Sequence, residues 1–91
     1  MKDSLYIKSQ LDATLSTKME QTDELKKVYE AKANILNWLY NAGNCRTEEE
    51  INTRLQTCEE RLTALNFMGN MDPTLEKSIN MEINTLKDIL I

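Results

Sequence analysis

The chain is 91 residues long, with 41% hydrophobic and 29% charged side chains, a net charge of −4, two glycines, one proline and no histidine. That length suits a single domain, and so few Gly and Pro exclude a turn-rich β-sandwich or a small enzyme built from loops. Without histidine there is no Ser-His-Asp or Cys-His nucleophile pair, no imidazole metal ligand and no ordinary switch residue near neutral pH.

The first predicted element is a helix over about residues 3–42, free of Gly and Pro, with Gly43 and Asn44 placed where a left-handed residue ends a helix. Its later half carries Leu25, Val28, Ile35, Leu39 and Ala42, widened by Tyr29, Leu36 and Trp38 into a broad apolar face. Its earlier half carries a second stripe of Ile7, Leu11, Leu15 and Met19, with Leu5 and Tyr6 at the edge. Between the halves, residues 16–24 hold one apolar side chain, Met19, and two start signals: the capping box Thr17-Lys18-Met19-Glu20 and the N-cap pair Thr22-Asp23. Two architectures follow. In one, the helix breaks near residues 17–22 and residues 3–16 fold back as a fourth helix. In the other it runs on for ~60 Å, and another chain covers the early stripe. The absence of Gly and Pro points to the continuous helix.

The second predicted helix spans about 48–68 and opens on a capping box, Thr47 with Glu50. Glu48, Glu49 and Glu50 sit at the positive end of its dipole. Ile51, Leu55, Cys58, Leu62 and Leu65 form an unbroken heptad stripe. The third, about 73–90, opens on Asp72-Pro73, an N-cap followed by proline where no N–H is needed. Leu75, Ile79, Ile83, Leu86 and Leu90 share one face, flanked by Met71 and Ile89. The loops at residues 43–46 and 69–71 are short, so successive helices pack antiparallel. The expected fold is all-α: an antiparallel bundle of three helices, four if the first breaks, with coiled-coil-like packing. No segment repeats another with a common motif.

Little in the chain carries chemistry. Glu48–Glu50 and Glu59-Glu60 are the densest carboxylate groups, and the Glu-x-x-His partners of a di-iron bundle and the alternating oxygens of a calcium loop are both missing. Cys45 and Cys58 have neither the CxxC spacing of a redox pair nor that of a zinc site. With Cys45 in a loop and Cys58 about 16 Å along a helix, a disulfide is also out of reach. Cys45 beside Arg46 lacks a general base, and Cys58 lies in an apolar stripe. No catalytic residue, metal or cofactor is expected, and the chain is not expected to be an enzyme. Lys26, Lys27 and Lys32 are interrupted by Glu24 and Glu30, which argues against nucleic-acid binding. No apolar run reaches the ~18 residues of a membrane span, and nothing near the N-terminus resembles a signal peptide, so the expected location is the cytoplasm.

What remains is recognition. Helix-in-groove binding needs an apolar face and a charged rim, and both are present. The candidate partner-binding residues are Leu5, Ile7, Leu11, Leu15 and Met19 on the surplus stripe, with Trp38 and Tyr40, residue types that dominate interface hot spots. They point to a non-catalytic protein-interaction module: a small helical chaperone, adaptor or assembly subunit that binds a partner helix or forms a homodimer. Residues 47–91 carry four basic and nine acidic side chains, which supports a second expectation, an acidic inhibitor or regulator that blocks a basic surface. A third, a ligand-binding bundle, rests on Tyr29, Trp38 and Tyr40.

Overall fold

The computed structural model describes residues 1–40, 46–69 and 72–91, the side chain of Met68 excepted. Four α-helices occupy them: α1 (Ser4–Lys18), α2 (Asp23–Leu39), α3 (Glu48–Met68) and α4 (Pro73–Leu90). The last two lie where the sequence puts them, and for the expected reasons. Thr47 accepts from the Glu50 backbone N–H while the Glu50 carboxylate accepts from that of Thr47, which completes the capping box. Asp72 accepts from the backbones of Thr74 and Leu75 ahead of Pro73. Gly69 ends α3 at φ +66, a left-handed conformation that costs glycine nothing. The expectations for Ala42, Gly43, Asn44, Cys45 and Met71 lie outside the described residues.

The first helix is not continuous, contrary to what its lack of Gly and Pro suggests. α1 closes with tightened turns, Glu20 N to Thr17 O (3.1 Å) and Gln21 N to Lys18 O (3.3 Å), and Thr22 then takes an extended backbone ahead of α2. The break falls among polar residues whose freed backbone groups lie near water. Folding back buries Ile7 fully and Leu11 to 5% exposure. At about 1.5–3 kcal/mol per large apolar side chain, that burial outweighs a few helical hydrogen bonds exchanged for water.

Inner and outer helices follow. The most extensive contact is between α2 and α4, while α1 packs on α2 and α3 on α4. The Thr74 hydroxyl, at the start of α4, donates to the Glu24 carboxylate at the start of α2 (3.1 Å), so the two inner helices run side by side in the same direction. Each is antiparallel to the outer helix that precedes it.

The two hairpins repeat one another's pattern of buried positions and backbone ties. On the outer helices, Ile7, Leu11 and Thr14 face inward, and Ile51, Leu55 and Cys58 do so at the same spacing. On the inner helices, Ala33, Ile35, Leu36 and Leu39 are buried, matched at one constant separation by Ile83, Thr85, Leu86 and Ile89. Backbone ties repeat as well: Lys2 N donates to Ile89 O (2.8 Å), and its counterpart Arg46 N donates to Leu39 O, the counterpart of Ile89 (3.2 Å). Each outer helix is thus tethered to the inner helix of the other hairpin. The four-helix core has a quasi-twofold arrangement that no shared motif announces.

Candidate interaction surfaces

The structure distributes the seven predicted contact residues over four places. Ile7 and Leu11 lie inside the chain's own core. Leu15 and Met19 are exposed, at 44% and 81%, on the last turn of α1 and its cap. Leu5, exposed at 79%, is near the opposite end of α1, where Met1 and Ile91 are exposed too. Trp38 and Tyr40 are half-buried against the core at the end of α2. The predicted set does not form one surface.

A different set does converge. The turn joining α1 to α2 and that joining α3 to α4 lie at the same end of the bundle, because the starts of α2 and α4 touch there. Leu15, Met19, Leu25, Phe67 and Leu75 are all exposed at this end, Phe67 most of all at 91%. The other end holds the fully buried side chains Ile7, Leu36, Leu39, Ile51, Leu86 and Ile89. Sequence reasoning assigned Leu25 and Leu75 to core stripes. The missed signal is positional: each stands at the third residue of an inner helix, beyond the depth at which the outer helices' buried positions begin.

Trp38 makes a second feature. The Arg46 guanidinium lies 4.8 Å from its ring centroid and that of Arg54 5.5 Å away. Arg46 is fixed further, its Nε donating to Trp38 O (2.8 Å) and its terminal nitrogen 3.4 Å from Glu50. Arg54 Nε is buried and has no hydrogen-bond partner among the described residues. An open cleft of about 400 Å³ runs past Trp38, Glu49, Thr53 and Thr57. The backbone N–H of Thr47, then its hydroxyl, hold the Glu50 carboxyl below its ordinary range. These groups fasten the start of α3 to the end of α2.

Two polar ties lie elsewhere. The Tyr6 hydroxyl donates to Asp88 at 2.6 Å, which raises the phenol above its ordinary 10.0. The buried Cys58 thiol donates to Glu82 at 3.3 Å, and Arg61 lies 3.6 Å from the same carboxylate oxygen. Burial first, then that hydrogen bond, push the thiol above 9.0. Both groups hold their protons more tightly folded than unfolded, so their contribution is complete below the unfolded values and is lost as pH rises through the folded ones. Urea midpoints are therefore expected to decline as pH rises beyond 9.0 and 10.0. The Tyr6→Phe, Cys58→Ala double variant starts lower but declines less steeply; an equal slope overturns this account.

Among the described residues, no group of three His, Cys, Asp or Glu side chains is placed to hold a metal ion. No helix there is long and apolar enough to cross a membrane. No protein-family model matches the chain, and neither a curated protein nor a solved structure is significantly similar to it.

Proposed function

We propose that this chain is a non-catalytic protein-interaction module, of the kind a small chaperone, adaptor or assembly subunit provides. It engages a partner helix or a second copy through the apolar side chains at the turn end of the bundle. One observation carries the proposal: Leu15, Met19, Leu25, Phe67 and Leu75 are all exposed at the turn end, a larger set than Met1, Leu5 and Ile91 at the other end. Contiguous apolar exposure on a small domain marks an interaction site more often than it marks idle surface.

The experiment pairs solution mass with unfolding. Light scattering from micromolar to hundreds of micromolar, together with capture of the natural partner, is compared between the wild-type chain and the Leu15→Asp, Met19→Asp double variant. The variant is expected to keep the wild-type melting temperature within a few degrees and to lose partner binding or self-association. A large fall in melting temperature assigns these side chains to the fold, and unchanged association removes the turn end from the interface.

A second reading has its own support. The acidic side chains of α3 are exposed, while Arg54 stacks on Trp38 and the half-exposed Arg61 is paired with Glu82, which suits an acidic regulator masking a basic surface. Salt separates the two: binding through the apolar end changes little with ionic strength, and binding through carboxylates weakens steeply.

A further inference from the structure

We infer that the outer face of α3 docks a basic amphipathic segment of another protein, with Glu59 and Glu60 taking its Lys or Arg side chains and Phe67 taking an apolar one. This rests on the interaction reading above and names the chemistry of the partner.

The quasi-twofold arrangement makes the first argument. α1 has 15 residues and α3 has 21. The correspondence between them runs from Ser4 and Glu48 to Lys18 and Leu62, and there α1 stops. The last six residues of α3 have no counterpart in α1 and add about 9 Å of helix, at ~1.5 Å per residue. Phe67 stands on this extension at 91% exposure. A bare phenylalanine there contributes nothing to the bundle, and it has the size and rigidity of an interface anchor.

Charge sorting makes the second. α3 contains two basic residues, and both are committed to the inner helices: Arg54 stacks on Trp38 of α2, and Arg61 pairs with Glu82 of α4. The carboxylates Glu48, Glu49, Glu59 and Glu60 are all exposed. The outward face therefore presents more negative than positive charge, since Arg54 lies against Trp38 and the half-exposed Arg61 is paired with Glu82. A shallow hollow follows this face, lined by Gln56, Glu59, Glu60, Thr63, Ala64 and Phe67, with the small Ala64 leaving room beside the ring. These positions recur every three or four residues, the stripe that a second helix meets when it lies along the first. Two copies of the chain meeting face to face here bring carboxylate against carboxylate, so a foreign basic segment is the better fit.

The test uses the full chain and two synthetic peptides: an amphipathic helix of leucine and lysine, and its counterpart with glutamate in place of lysine. Labelled-peptide anisotropy gives affinity, and amide chemical shifts give location. The lysine peptide is expected to bind with shifts concentrated over residues 56–67, and the glutamate peptide not to bind. Phe67→Ala weakens binding about tenfold or more, and Glu59→Gln with Glu60→Gln lowers both the affinity and its salt dependence. Ser9→Ala, on the exposed side of α1, leaves it unchanged. The inference is overturned by absent binding, by equal binding of the two peptides, by shifts centred elsewhere, or by an affinity indifferent to Phe67→Ala. If the lysine peptide fails while the Leu15→Asp, Met19→Asp variant still loses association, only the partner chemistry is lost and the interaction module stands.

Discussion

Leu11→Asp is expected to unfold this chain, while Leu15→Asp, one helical turn further along the same stripe, is expected to leave it folded. Leu11 is 5% exposed within a core that also contains Ile7, Leu36 and Leu39, whereas Leu15 is 44% exposed at the turn end. Replacing Leu11 forgoes about 1.5–3 kcal/mol of burial. It also forces a carboxylate either to be desolvated, at several kcal/mol, or to take up a proton at neutral pH. Those losses together approach the whole stability of an ordinary small domain, about 5–15 kcal/mol. At position 15 the carboxylate reaches water, and the expected change stays within about 1 kcal/mol. Circular dichroism during urea titration distinguishes the two outcomes. A folded Leu11→Asp variant means that α1 is a detachable arm, as the continuous-helix expectation has it, and the four-helix arrangement fails.

That contrast marks where the sequence was legible. Helices α3 and α4 could be read with their ends, because each boundary has a local cause: the Thr47–Glu50 box, Gly69 in a left-handed conformation, and Asp72 ahead of Pro73. The break after α1 has a weaker local cause. Thr22 occupies the N-cap position but makes no side-chain hydrogen bond there. The deciding energy is tertiary, the burial of Ile7 and Leu11 against α2, and helix propensity carries no trace of it. The stripe Ile7, Leu11, Leu15, Met19 is apolar on the sequence alone, which leaves open what covers it. Its division into a buried half and an exposed half depends on where the neighbouring helices end, and that is not a property of the stripe. The quasi-twofold arrangement was hidden because its two halves agree in burial more than in identity: Thr14 matches Cys58, and Ile35 matches Thr85. The length difference between α1 and α3 also shifts the outer match out of register with the inner one. The surface of α3 was half-legible. Its carboxylates can be counted from the sequence, but the engagement of Arg54 and Arg61 depends on Trp38 and Glu82 lying on other helices.

The arrangement makes a quantitative demand on the inner helices. Leu36 and Leu86 occupy equivalent positions on α2 and α4, and both are fully buried. Truncating either to alanine removes the same atoms and leaves a cavity, at a cost of about 2–5 kcal/mol set by how far the surroundings relax. In a domain of this size that is a fall in melting temperature on the order of 10–30 °C. If the hairpins are equivalent in energy as well as geometry, the two single variants are expected to agree within about 1 kcal/mol. The double variant is then expected to show coupling of about 0.5–3 kcal/mol, since the two leucines belong to one core cluster. Near-equal losses with measurable coupling describe one core shared by both hairpins. A loss confined to Leu36→Ala, with Leu86→Ala nearly silent, means that the α1–α2 hairpin holds the stability while α3 and α4 are docked on it. In that case the acidic face of α3 belongs to a mobile element, and its partner is bound at the added cost of ordering it.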